Sequence, residues 1–542
     1  MIRFSLVFFC INALFQAHGQ VHFTEVSSEK GMNYLYPGND FQMAGGGVMV
    51  IDVNNDGWED LFQAGGVFDS KLWINKGGFF IDGTADFGLN ALSGYFIQGA
   101  VAADYNNDGY RDFIVANYGV GMGRGDKHAP AIMKNIKGES FELISLEKVI
   151  APGNFSSACW GDINKDGFSD VYITNYVASM GGITDSNGVV IGYDAKCLEN
   201  KLLLNKDGKS FVECANEYGI SDGGCGLSAS FTDVDHDGDQ DLLLLNDFGE
   251  WTGEGNKYFR NEFPEPIFSD ATRENGFENF MYGMGIGQGD YDEDADLDFY
   301  VTNIGRNYLY QNDKGKLVDQ ARALKVDLTY EKDSIRGTSW SGIFFDLEFD
   351  GDLDLYVTKG NVATLVPKTV IRDPNKFFLN DQGHFTEISA EVGLNDILSH
   401  RGAAVFDFDH DGDLDIVSSV VKLPWAAFAK IEQKIKLFRN DTKALHWIGI
   451  ILEGDDGVNQ DCFGCQVVFK QHSRNLMKEV DAGSGQASQS TAVLYYGLDH
   501  ENYLEELEIF WTDGTSSKFS NLKSGQVYRM IKGKNPVPIK MN

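Results

Sequence analysis

Short apolar runs alternate with polar, glycine-containing breaks along most of the chain, and no long helical pattern appears in residues 446–532. The breaks are themselves periodic. One nine-residue pattern places Asp, Glu or Asn at positions 1, 3 and 5, Gly at 6 in most copies, and Asp at 9. Its seven copies start at 52, 104, 162, 233, 290, 346 and 407. Before each copy stands a small Gly/Ala/Ser-rich segment such as 99–103. After it comes a β-branched or aromatic run such as 171–174, then a third run ending in Asn (Asn75, Asn205, Asn312, Asn380), a turn, and a fourth run such as 385–389. Four short strands per repeat, joined by turns, predict one propeller blade.

The seventh repeat lacks its fourth strand. Residues 21–32 match 383–394 almost position by position, so the N-terminal segment is predicted to complete the last blade and close the ring. After 440 the pattern changes to alternating β-runs (448–452, 466–469, 507–511) and polar turns. The expectation is an all-β chain: a signal peptide over 1–19, a seven-bladed β-propeller over 20–440, and a β-sandwich-like domain over 441–542 packed beside it.

Oxygen ligands at alternate positions of a tight loop converge on one point, and hard oxygen donors in a flexible cage favour Ca²⁺ over Mg²⁺. The candidate ligands in the first three loops are Asp52, Asn54, Asp56 and Asp60; Asp104, Asn106, Asp108 and Asp112; and Asp162, Asn164, Asp166 and Asp170. In the next four they are Asp233, Asp235, Asp237 and Asp241; Asp290, Asp292, Asp294 and Asp298; Asp346, Glu348, Asp350 and Asp354; and Asp407, Asp409, Asp411 and Asp415. An EF-hand would need Glu at position 12 and flanking helices; position 12 is never acidic here and the flanks read as strands. Plain Asx turns are the competing reading for any single copy, but seven clusters of like charge need counter-ions. Up to seven structural Ca²⁺ are therefore expected. Ala295 in place of Gly strains the fifth loop, and Glu348 adds a methylene to the sixth.

The composition fits. The chain has 80 acidic against 45 basic side chains, a net charge of −35, and 43% hydrophobic residues, enough for a real core. Excess acid argues against nucleic acid and anionic membranes as partners. Residues 1–19 carry Arg3, an apolar run from Phe4 to Phe15 and a small-x-small ending at Ala17-His18-Gly19, which predicts a cleaved signal peptide and a secreted, periplasmic or cell-surface protein. No later stretch is long and apolar enough to span a membrane. The six remaining cysteines allow 15 pairings. Cys462 and Cys465 have redox-motif spacing without a thioredoxin-like context, and so read as a structural pair or two buried thiols. His128, His400 and His446 do not cluster in sequence, so no zinc site is visible.

On the seven loops the repeat resembles the FG-GAP/VCBS family, the seven-bladed propeller of integrin α-subunit heads. Residues after 440 resemble the ASPIC/UnbV family at His446-Trp447, Gly464, Glu479-Val480, Gly483-Ser484-Gly485, Ser488-Gln489, Tyr496-Gly497-Leu498 and Trp511-Thr512-Asp513-Gly514. The combination is similar to the cartilage acidic protein family. That resemblance implies an extracellular, calcium-binding protein and no settled biochemical activity.

The metal loops join strands one and two of each blade, so the other connections emerge on the opposite face. Three are long (118–131, 176–198 and 360–375), and two more carry Trp251 and Trp425. Variable loops on a rigid ring suit recognition, which predicts a binding or adhesion module for an extracellular protein or polysaccharide. Trp251 and Trp425 are the candidate stacking residues. The alternative is a lyase, hydrolase or cyclase in the central opening of that face, using His400, Arg401, Tyr282 and Arg336. No nucleophile elbow, HExxH motif, P-loop or dinucleotide fingerprint supports it. Arg124-Gly125-Asp126 matches an integrin-ligand tripeptide, a signal short enough to arise by chance.

Overall fold

The computed structural model describes residues 21–35, 45–119, 128–188, 190–329, 336–362, 370, 372–422, 432, 434–442, 446–455 and 457–539. Residues 1–19, expected to be a signal peptide, the Arg124-Gly125-Asp126 tripeptide and Trp425 lie outside them.

Each acidic loop joins two antiparallel strands, the second of which begins at the Asp in position 9, as in Val48–Ile51 and Asp60–Gln63. Third and fourth strands follow in order, so that the described residues contain seven four-stranded antiparallel sheets of this type. First strands of consecutive sheets lie side by side, and that of the seventh (His400–Phe406) returns to that of the first, which closes a β-propeller ring. The seventh sheet takes its outer strand from the N-terminal segment, with Phe23 paired to Asn440 and Glu25 to Phe438. Apolar side chains facing adjacent sheets form the core, as in the cluster of Met49, Phe62, Ala100, Phe113 and Met133 between sheets one and two.

The Asn that ends each third strand is an interblade clasp. Asn205 Nδ2 donates to Tyr105 O of the preceding sheet at 2.7 Å and to Ser169 O of its own at 3.1 Å, while its Oδ1 accepts Gly208 N–H. Asn135, Asn261, Asn312 and Asn380 repeat the bridge to the preceding loop, and Asn75 makes it to Phe408 across the closure. An Asn205→Ala chain would keep two buried carbonyls and one N–H without a partner. The expected cost is about 2–3 kcal/mol in chemical denaturation.

The C-terminal segment forms two further four-stranded sheets. One joins Trp447–Glu453, Leu494–Gly497, Gln526–Ile531 and Val537–Ile539; the other joins Gln466–Gln471, Arg474–Glu479, Tyr503–Phe510 and Ser516–Lys523. It does not sit beside the propeller as expected. It lies across the face that carries the acidic loops, and the loop between its two sheets enters the ring. Within 482–491, hydrogen bonds reach the first strand of every sheet: Ser488 Oγ accepts Val48 N–H, Gln489 Oε1 accepts Ala102 N–H, Ala482 O accepts Trp160 N–H and Gly485 O accepts the Ser228 hydroxyl. Gly485 N–H donates to Ile286 O, Gln486 N–H to Ser341 Oγ, and Thr491 N–H to Val405 O. Side chains in the way would prevent this. A Cβ on Gly99 would lie 2.4 Å from Ala487 O, and one on Gly402 2.2 Å from Ser488 Oγ. That approach is why glycine stands at such points as 99 and 402 of the first strands.

Candidate metal loops and the opposite face

The acidic loops fold by their own side chains. The carboxylate at position 1 accepts the N–H of position 6 in every loop, as Asp52 does from Gly57 at 2.9 Å and Asp407 from Gly412 at 3.0 Å. Position 6 has positive φ throughout, including Ala295 at 69°, where the side chain strains the backbone as expected. Position 4 is also left-handed, from Lys165 at 53° to Phe349 at 61°, which the sequence pattern did not disclose. The Asp at position 9 has a second duty. One oxygen accepts the N–H of the clasp Asn, as Asp241 does from Asn261 at 2.8 Å and Asp354 from Asn380 at 2.8 Å.

Turn hydrogen bonds do not use every oxygen. Three triads that include position 9 bring carboxylate oxygens within 4.8 Å of one another: Asp233, Asp235 and Asp241; Asp346, Glu348 and Asp354; Asp407, Asp409 and Asp415. In the fifth loop Asp290, Asp292 and Asp294 converge instead. Buried Asp235 Oδ1, Asp292 Oδ1, Asp346 Oδ1, Glu348 Oε2, Asp407 Oδ1 and Asp409 Oδ1 have no hydrogen-bond partner. Buried acceptors that face one another without a donor fit a bound cation. In the first three loops Asn takes position 3, and its amide relieves the charge: Asn54 Nδ2 donates to Asp56, Asn106 Nδ2 to Asp112 and Asn164 Nδ2 to Asp166, each at 3.1 Å.

Burial, and then the neighbouring carboxylates, push Asp104 up to about 6 and Asp162, Asp233 and Asp346 up to about 7. In the metal-free chain such acids take up protons on folding, because their folded values exceed the unfolded value of about 4. Their stabilising contribution is present below about pH 4 and is lost as pH rises through 6 to 7. A sample held in chelator is expected to melt higher at pH 5 than at pH 7.5, as read by a thermal scan.

The C-terminal segment touches the same loops. Met477 N–H donates to Asp290 at 2.8 Å, Gly497 N–H to Asp346 at 3.2 Å, and the Tyr495 hydroxyl to Asp407 at 3.4 Å. Asp461 accepts Asp104 N–H and pairs with Arg111 at 2.9 Å. Arg474 spans the fifth and sixth loops, pairing with Glu293 (Nε–O 2.7 Å) and Asp352. The acidic face and the axis of the ring are therefore both occupied by the chain itself.

The candidates on the opposite face are not gathered in one opening. Trp251 is 42% exposed, and its indole N–H donates to the Tyr282 hydroxyl. Arg336 is half-buried and pairs with Glu250 at 3.1 Å. Tyr282, His400 and Arg401 are buried, which corrects the expectation that they line an accessible centre. Arg401 lies with its guanidinium 3.9 Å from the Trp340 ring centroid, and it donates to Ser399 Oγ and to the His400 and Asn361 carbonyls. His400 bonds Ser418 Oγ at 2.8 Å and sits 3.6 Å from Asp396. That Ser–His–Asp series is sealed, with His400 and Ser418 both fully buried. Missed by sequence reasoning was the hairpin of Val177–Thr184 and Val190–Cys197, which stands outside the seven sheets. Cys197 forms a disulfide with Cys225, while Cys159, Cys214, Cys462 and Cys465 are free and buried.

Residues 104–173 match the family model of the FG-GAP-like repeat, and residues 455–537 match the model described as ASPIC and UnbV. The chain is 23% identical over 491 residues to cartilage acidic protein 1 of Xenopus tropicalis, covering 86% of this chain and 70% of the relative. Against the Homo sapiens protein of the same name it is 23% identical over 449 residues, covering 80% of this chain, and it spans only 62% of the human protein's length. Among solved structures, an Agrocybe aegerita lectin that recognises non-reducing terminal N-acetylglucosamine aligns at 15% identity and TM-score 0.39, covering 63% of this chain and 79% of that one. The rhamnogalacturonan lyase YesW aligns at 12% identity and TM-score 0.37, covering 78% and 75%. Among the described residues, no helix is long and apolar enough to cross a membrane.

Proposed function

We propose that the chain is an exported, calcium-stabilised β-propeller that acts outside the cell as a binding and adhesion module for a protein or glycan ligand. The buried, partnerless carboxylate oxygens of the last four loops support the metal. Their donors are all oxygen, which favours a hard cation such as Ca²⁺ over softer transition metals. Asp233, Asp235 and Asp241, with their counterparts in the fifth, sixth and seventh loops, would hold it. The bound ion would supply the charge that lets these loops stay folded. The remaining three loops would complete their cages with Asn54, Asn106 and Asn164.

The observation that carries the binding reading is the occupation of the acidic face and the ring axis by residues 447–539. A partner is left with the opposite face, where the connections differ most in length and Trp251 is exposed. The test is an array of glycans and extracellular matrix proteins, probed with the calcium-loaded chain and again in chelator. Ligands retained with calcium and lost in chelator are expected. A folded, loaded chain that captures nothing sinks the reading. Export is tested by N-terminal sequencing of secreted material, which is expected to begin near Gln20.

A further inference from the structure

The hairpin of Val177–Thr184 and Val190–Cys197 leaves the ring opposite the acidic loops, between the second and third strands of the third sheet. Two attachments hold it. The Cys197–Cys225 disulfide ties it to the first strand of the fourth sheet. Its second strand also packs on Trp251 of the helical turn Gly249–Thr252, so closely that a Cβ on Gly192 would lie 3.0 Å from the indole. Between hairpin and turn is a cavity of about 310 Å³, lined among others by Tyr193, Asp194, Trp251, Thr252 and Glu254.

Its chemistry is one-sided. Asp194 and Glu254 are exposed, and neither joins an ion pair among the described residues. Among the described residues, no Lys, Arg or His lines the cavity. The Trp251 N–H is already used by Tyr282, so the indole offers its ring surface. Tyr193 is steadied by Phe248, ring centroids 6.0 Å apart. Aromatic faces attract cations, and two carboxylates beside them reinforce the preference. The guest that suits all of these is a positive group on an apolar stem. A net charge of −35 steers basic partners toward the molecule.

We propose that this cavity captures a lysine or arginine side chain presented by a basic segment of a partner protein. The inference rests on the binding reading above and names the class of ligand for that face.

The experiment is calorimetric titration of the calcium-loaded full chain with hexa-lysine, hexa-arginine and a neutral oligosaccharide at an ionic strength of about 0.15 M, where diffuse attraction is screened. Three variants are compared, each first checked for an unchanged melting temperature: Asp194→Asn with Glu254→Gln, Trp251→Leu, and the distant exposed pair Asp86→Asn with Glu142→Gln. Removing the cavity carboxylates is expected to weaken basic-peptide binding about tenfold, and the distant pair to change it by less than about twofold. Equal weakening by both acid pairs overturns the proposal in favour of diffuse attraction. Oligosaccharide binding that is lost with Trp251→Leu yet kept in the cavity-acid variant overturns it in favour of a sugar. Array ligands that survive every cavity substitution overturn the cavity assignment alone. A loaded chain that binds neither peptides nor array ligands overturns the binding reading with it.

Discussion

Excess chelator is expected to lower the melting temperature of the calcium-loaded chain by about 10 °C or more. Four loops each bring three carboxylates within 4.8 Å, with oxygens that no donor reaches. Removing a cation exposes that repulsion inside a buried turn. A site at a hundred times its dissociation constant contributes about 2.7 kcal/mol, so four such sites contribute about 11 kcal/mol together. The effect should spread beyond the loops, because Asp290, Asp346 and Asp407 also accept hydrogen bonds from the C-terminal segment. Differential scanning calorimetry with calcium and with chelator reads it directly. A midpoint indifferent to chelation would return the loops to plain Asx turns.

Gly99→Val is expected to destabilise the chain by about 3 kcal/mol and to release the axial loop. The new Cβ would meet Ala487 O at 2.4 Å and Ala487 Cβ at 2.5 Å. These contacts sit between the first strand of the second sheet and a backbone segment held by six other strands, so neither side can step aside cheaply. The loop itself should yield. Limited proteolysis under native conditions is then expected to cut the variant within 483–489 and to spare the wild type there. A variant that melts with the wild type and resists protease at that segment would show that the loop does not occupy the axis.

The blades were readable from the chain because each is local: one acidic loop, one small-residue strand before it and three strands after it, all within about sixty residues. The closure by residues 21–25 was readable for the same reason, since 21–32 copy a fourth strand already seen at 383–394. The axial loop was not. Residues 481–491 show no strand alternation, and their partners are single backbone or serine hydroxyl groups on seven strands that lie far apart in sequence. The one trace of it was the Gly, Ala and Ser content of the first strands, which reads as weak β-propensity until something is seen to press against it. The clasp asparagines were visible as a repeated letter, but their function is to reach the preceding blade. His400 and Arg401 misled for the opposite reason. Polar side chains at a predicted strand end look available, and only packing places them under Trp340 and beside Phe438.

The outer strand of the seventh sheet sets an order of events during synthesis. Thr24 and Asp441, whose side chains are hydrogen-bonded, stand 417 residues apart. Residues 21–25 therefore emerge before the repeats and must stay unpaired until nearly all seven have followed, a long exposure for a strand edge. Only then can the circle shut, and the segment that fills its axis is made later still. Both ends of that segment return to the same face, since Asp481 follows Arg474–Glu479 and Thr491 precedes Leu494–Gly497. Assembly thus requires a bent finger to be pushed into an opening, and no chain end has to be drawn through it.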